Sequence, residues 1–215
     1  MRVLLVHGLG RTWLSLARLG RALRRAGHQP EYFAYYAFAT PYETIRERLA
    51  SRLRALAERR EPVALIGHSL GGLLLRHAVV EAPRLRVHRL IMLGTPNQPP
   101  RRAERAARWR WFRMLARSSG ELLASPEAYR RIPPPAVPYT VVAGTGGLRL
   151  LGRPFGAERH DGIVAVDETR VRGADDLLLF PVGHTFMMND RRVRQALLGL
   201  LGPDEAIGLP AREDR

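Results

Sequence analysis

The sequence predicts one α/β domain over residues 1–202, a mostly parallel sheet of about six strands with helices on both faces, and a polar, frayed tail over 203–215. Three observations predict it. Short β-rich apolar runs alternate with longer stretches of helical period, the signature of a parallel sheet with crossover helices. A Gly-rich turn joins one such run directly to a helix. The length of 215 residues suits one domain with a sizeable core.

Residues 2–6 read as a buried strand. A helix follows over 14–26, with Leu16, Leu19 and Leu23 at three- and four-residue spacings and Gly27 as its stop. The aromatic run 31–37 is strand-like. The segment 41–60 reads as a helix opening at Thr40, an N-cap with Glu43 three residues on. Then come strand 63–67, helix 70–81, strand 89–93, strand 139–143, strand 177–180 and helix 191–201. Two inserts break this rhythm. Residues 97–135 carry their own helical pattern, and 144–160 are Gly-rich and loop-like; long connections of this kind tend to be functional.

Composition narrows the function classes. Hydrophobic residues make up 46% and charged residues 26%, ordinary values for a globular protein, and no apolar run is long enough to span a bilayer. The apolar run at the start is too short for a signal peptide and passes straight into a candidate catalytic loop, so a cytoplasmic protein is expected. The net charge is +15, and all 35 basic residues are Arg. These scatter over helix faces, as at Arg18, Arg21, Arg24 and Arg25, with no nucleic-acid-binding motif beside them, so no nucleic-acid partner is expected. The absence of Cys removes disulfides, thiolate nucleophiles and Cys-ligated zinc.

The turn between strand 63–67 and helix 70–81 is Gly67-His68-Ser69-Leu70-Gly71, a G-x-S-x-G pattern in the strand–turn–helix setting that its chemistry requires. Such a turn exposes the Ser hydroxyl at the carboxyl end of the sheet on a strained backbone. Small residues two before and two after let neighbouring backbone approach. The following helix offers unpaired N–H groups to a developing oxyanion. Alone, the pattern also fits a plain turn with Ser as a cap. The flanking runs Val63-Ala64-Leu65-Ile66 and Leu73-Leu74-Leu75 favour the nucleophile, Ser69, and Gly72 adds room at the helix start.

His7-Gly8-Leu9-Gly10 follows the first strand and lies beside this turn if the first and third strands are neighbours. The expected oxyanion donors are the backbone N–H groups of Leu9, with Gly10 next, and of Leu70. Gly8, Gly10 and His68 are expected near the substrate.

A Ser hydroxyl needs a base within hydrogen-bond reach. Of seven His, His7 and His68 belong to the loops just described, and His28, His77 and His88 fall on helices or strand starts. His160 and His184 remain. His184, in Gly183-His184-Thr185 between the last strand and last helix, is the expected base. The acid must lie between Ser69 and His184. Asp161, in His160-Asp161-Gly162-Ile163-Val164, leads: Gly162 allows a sharp turn, and Ile163 and Val164 would anchor the loop in the core. Asp167 is the runner-up, Glu168 a further carboxylate, and Asp175 and Asp176 read as turn residues.

His7-Gly8-Leu9-Gly10, Gly67-His68-Ser69-Leu70-Gly71-Gly72, Leu93-Gly94-Thr95-Pro96, Asp161-Gly162-Ile163-Val164 and Gly183-His184-Thr185 stand in this order along the chain. In them the sequence resembles small bacterial esterases and lipases of the α/β-hydrolase superfamily. The resemblance implies that fold, a small-molecule or lipid ester as substrate, and no cofactor or metal. It departs after Leu93-Gly94-Thr95-Pro96, where a small-residue turn containing Gly is usual and Asn97-Gln98-Pro99-Pro100 stands instead.

The insert 97–135 would sit over the active site as a cap. Trp109, Trp111, Phe112, Met114 and Leu115 fall at helical spacings, either as an acyl-binding wall, with Trp109 and Phe112 touching substrate, or as packing onto the core. Its Arg residues would make a weak contact with an anionic membrane surface, or simply a solvated face. Beside an esterase or lipase, two readings stay open: a thioesterase or acyltransferase with the same triad, and a non-catalytic binding protein on the same fold.

Overall fold

Six strands pair in parallel in the order β2-β1-β3-β4-β5-β6: β1 (Arg2–Val6), β2 (Gln29–Phe33), β3 (Val63–His68), β4 (Val87–Leu93), β5 (Tyr139–Gly144) and β6 (Leu177–Phe180). The structure is a computed structural model and describes residues 1–99, 132–147, 155, 157–171 and 177–202. The insert residues Trp109, Trp111, Phe112, Met114 and Leu115, the turn residues Asp175 and Asp176, and the tail over 203–215 lie outside the described residues.

The two faces of the sheet follow from the two-residue period of a strand. In β1, Leu4 and Val6 pack on α2 (Tyr42–Ala57) and α3 (Leu70–Ala78), while Val3 and Leu5 pack on α1 (Ala17–Arg25) and the C-terminal helix Arg191–Leu200. With helices on both faces, the central strands carry apolar runs buried on both sides; β3 is buried at all six positions. Each fully buried Leu, Ile or Val of these layers contributes about 1.5–3 kcal/mol. Among the described residues, no helix is long and apolar enough to cross a membrane.

β1 and β6 span the residues their patterns predict, and the other strands begin or end within about two residues, β2 excepted. β2 starts at Gln29 and stops at Phe33 instead of running 31–37. Its only strand partner among the described residues, β1, ends at Val6 opposite Phe33, so among these residues the chain beyond has no ladder to join. Tyr35 turns instead onto the loop after β1, where its ring stacks on His7 at 4.2 Å.

α2 also departs from expectation. It starts at Tyr42 with Pro41 at the cap position and no side-chain cap bond. Thr40 belongs to the preceding turn, its N–H donating to the Tyr36 carbonyl, and Glu43 accepts from Arg46 rather than reaching back to the cap. The expected helix 14–26 opens as a 3-10 turn (Trp13–Leu16) before α1, and α3 gives way to a 3-10 turn (Val79–Glu81). Gly27 ends the first helix in the left-handed region, φ +80°.

Candidate active site

β1 and β3 are neighbours, so the loop after β1 and the turn after β3 emerge side by side at the carboxyl edge. Ser69 stands in that turn at φ +53°, ψ −122°, a conformation unusual for a residue with a side chain. Three hydrogen bonds hold it there: its N–H donates to Leu93 O, and its carbonyl accepts from Gly72 and Leu73. The glycines around it are steric requirements. A Cβ at Gly67 would run into the backbone of Gly71 and Gly72, and one at Gly71 into the carbonyls of Val6 and His7.

The loop after β1 abuts this turn. A Cβ on Gly8 would lie 3.1 Å from Ser69 Cβ and 2.9 Å from His68 Nδ1. His7 shapes the loop. Its Nε2 accepts from the Tyr35 N–H, so Nδ1 carries the proton and donates to Gly8 O at 2.9 Å. Tyr35 closes the unit by donating its hydroxyl to His7 O at 2.6 Å. Burial pushes the His7 imidazole below its ordinary range, which favours this neutral form. The bond to Gly8 O has a consequence for Leu9. Across a trans peptide, C=O and N–H point in opposite directions. With Gly8 O drawn to the His7 ring, the Leu9 N–H faces away from it.

Asp161 and His184 meet at the same edge, from the loop after β5 and the 3-10 helix His184–Asn189 after β6. Asp161 Oδ2 accepts from His184 Nδ1 at 2.7 Å, and its main-chain oxygen accepts from the His184 N–H at 2.9 Å. Asp161 Oδ1 accepts from the N–H groups of Ile163 and Val164, at 2.9 and 2.7 Å. The pair is buried, with side-chain exposures of 1% for Asp161 and 7% for His184. Gly94 floors it: at φ +54°, a Cβ there would stand 3.1 Å from His184 Nδ1 and 3.2 Å from Asp161 Oδ2.

Of the other carboxylates, Asp167 is exposed and ion-paired with Arg170, and Glu168 is buried, accepting from the Ala165 N–H. His160 flanks the acid, stacked on Phe155, with its Nδ1 accepting from the Gly162 N–H. The expected anchoring of the loop by two apolar side chains is half right. Val164 is buried, but Ile163 is 42% exposed, and both hold the loop through their N–H groups.

Two features had little sequence signal. The first is His68, whose Nε2 donates to the main-chain carbonyl of His184 at 3.0 Å and whose ring lies 4.8 Å from the His184 ring. Burial, then the proximity of His184, holds its imidazole well below the ordinary range, so it is neutral with its proton on Nε2. The second is Arg76 of α3. It is buried and donates to the carbonyls of Pro133, Asn97 and Ile132 and to Asn97 Oδ1. Asn97 in turn donates to Thr169 O at 2.8 Å. The unusual Asn after Leu93-Gly94-Thr95-Pro96 is thus a bridge, and residue types at 76 and 97 could have hinted at it only as a polar pair.

A model of the alpha/beta hydrolase family matches residues 3–200. The chain belongs to the alpha/beta hydrolase family. Its structure is similar to the mature form of the lipase BlEst2 of Bacillus licheniformis, with a TM-score of 0.72 at 18% identity over 92% of this chain and 91% of that one. It is also similar to a monoacylglycerol lipase of Paleococcus ferrophilus, with a TM-score of 0.59 at 17% identity over 92% of each chain. A third similar fold is an extracellular α/β-hydrolase from a Paenibacillus species, with a TM-score of 0.54 at 14% identity over 94% of this chain and 97% of that one. At these identities the likeness is one of fold. No curated protein matches the sequence. Among the described residues, no cluster of His, Asp and Glu could hold a metal ion.

Proposed function

We propose that this family member is a serine hydrolase that cleaves carboxylic esters, with Ser69 as nucleophile, His184 as base and Asp161 as the acid that orients it. The observation that carries the reading is the buried 2.7 Å bond from His184 Nδ1 to Asp161 Oδ2. It leaves Nε2, the far end of the imidazole, for the hydroxyl of Ser69, which emerges from the left-handed turn at the same sheet edge.

In the proposed reaction Ser69 attacks the acyl carbon, and His184 takes its proton and returns it to the leaving alcohol. Asp161 holds the tautomer with the proton on Nδ1 and stabilises the imidazolium. Water then cleaves the acyl-enzyme by the same route. The oxyanion donors would be the N–H of Leu9, turned away from the His7 ring, and the N–H of Leu70, which opens α3 where no intrahelical carbonyl reaches it. Gly8 and Gly10 would line the substrate path, as would Trp109 and Phe112 of the insert. A cytoplasmic location belongs to the same proposal and is checked by cell fractionation.

The test is reaction of purified protein with a fluorophosphonate probe and with p-nitrophenyl esters from acetate to palmitate. A burst of p-nitrophenol is expected, with Ser69→Ala lowering kcat by roughly 10⁴- to 10⁶-fold. Preference for soluble short chains would mark an esterase and preference for emulsified long chains a lipase. If no ester of any length is cleaved and the probe does not label the protein, the proposal fails.

A further inference from the structure

A groove of about 460 Å³, large enough for a small-molecule fragment, opens beside the candidate site. Gly10, Arg11, Thr12, Leu14, Arg18, Phe186 and Asn189 are among the residues around it. Its two walls are the segments that carry the proposed machinery. Gly10 follows Leu9, the proposed oxyanion donor, and Phe186 lies two residues beyond His184 on the same 3-10 helix.

The lining carries two cations and no carboxylate. Arg11 and Arg18 both face the groove, and neither pairs with a carboxylate among the described residues. Arg11 is half-buried, its guanidinium 6.0 Å from the centre of the Phe186 ring. Its positive charge reaches inward far enough to be one of the causes that lower the His68 imidazole. A half-buried cation without a counter-charge is a cost to the fold that an anionic ligand would relieve. Asn189 adds a second unmet polar group: its Oδ1 is buried and has no hydrogen-bond partner among the described residues. A carboxamide can turn either its oxygen or its NH2 toward a ligand. Leu14 and Phe186, 62% and 69% exposed, supply apolar walls.

Resting on the reading of Ser69 as an ester-cleaving nucleophile, we infer that this groove binds an anionic, partly apolar portion of the substrate. The substrate class is then an ester bearing a carboxylate or phosphate group close to the scissile bond, not a neutral ester. Arg11 and Arg18 are specificity-determining residues, with Phe186 and Leu14 flanking the apolar part of the same group.

The test uses matched substrates: 3-carboxyphenyl butyrate against 3-carbamoylphenyl butyrate, which places the charge on the leaving group, and p-nitrophenyl hemisuccinate against p-nitrophenyl butyrate, which places it on the acyl side. In at least one pair the wild type is expected to favour the anionic member by about tenfold in kcat/KM, mainly through KM. That ratio should fall toward one in the Arg11→Gln/Arg18→Gln double variant and with added salt, and should persist in Arg24→Gln, a control on the exposed face of α1. Equal rates within both pairs for the wild type, or a preference that survives in the double variant, overturns the inference and leaves the nucleophile untouched. A second arm does not need turnover. Ser69→Ala protein is titrated with 3-butoxybenzoate and 3-butoxybenzamide by calorimetry. Tighter binding of the benzoate that the double substitution abolishes supports the groove even if no ester is cleaved. Equal binding overturns it, as does charge-dependent attachment to anionic vesicles with no preference among soluble ligands.

Discussion

His68 donates from Nε2 to the main-chain carbonyl of His184 at 3.0 Å, while the imidazole of His184 is held at its other side by Asp161. The residue before the nucleophile therefore grips the backbone of the residue proposed as its base. Replacing His68 by Leu removes the donor and leaves that carbonyl buried and unpaired, which costs about 1–3 kcal/mol. We expect kcat to fall roughly tenfold or more with KM little changed, and the acidic limb of the kcat profile to shift. His68→Gln, which can restore an N–H donor, should recover part of the loss. Equal losses in both variants with an unmoved pH profile would reduce His68 to a packing residue.

The two site histidines make stability depend on pH. Burial lowers both His7 and His68 in the folded state, whereas in the unfolded chain they titrate near the ordinary value of about 6.5. The unfolded state thus binds more protons below that pH. Above pH 6.5 neither group affects stability; as pH falls from 6.5 toward their folded values, each removes about 1.4 kcal/mol per pH unit. Urea unfolding at pH 7.5, 6.5 and 5.5 should show the loss, and His7→Asn/His68→Gln should flatten its slope by up to two protons. A slope unchanged in the double variant would contradict this account.

Ser69 keeps a side chain at φ +53°, where glycine is at ease. Strain of this kind costs of order 1–3 kcal/mol. Ser69→Gly is therefore expected to abolish ester hydrolysis while leaving the protein as stable as the wild type or about 1 kcal/mol more so, since glycine's extra freedom in the unfolded chain offsets part of the relief. Ser69→Ala, which keeps the strain, should lack that gain. Chemical denaturation of the two variants side by side decides the matter; a less stable Ser69→Gly would mean that the turn is not strained.

Arg76 ties α3 to residues on both sides of the insert, Asn97 before it and Ile132 and Pro133 after it. Arg76→Leu keeps the helix but leaves these buried carbonyls without their donor. A loss of about 2–4 kcal/mol is expected by urea denaturation. Arg76→Lys should recover only a fraction, because one ammonium cannot span three carbonyls as the guanidinium fork does. Full rescue by Lys would show that charge alone matters at this position.

The sequence by itself determined the strands other than β2 and the turn bearing Ser69, and it singled out Asp161 and His184 as the leading candidates for acid and base. These were legible because they are local: apolar period sets strand and helix, and glycines at 67 and 71 announce a turn whose neighbours leave no room for a Cβ. Where local signals erred, a distant partner was the reason. Phe33 ends β2 because β1 ends opposite it, and Thr40 is drawn into a turn with Tyr36 instead of capping α2. Only the tertiary structure decided that Asp161 and not Asp167 meets His184, through a loop held by backbone N–H groups that carry no residue-type signature. It alone gave His7, His68 and Arg76 their roles, since each bonds main-chain oxygens, and every residue has one. The direction of those carbonyls is a property of the folded backbone, so which of them a buried side chain will meet cannot be read from the order of residues.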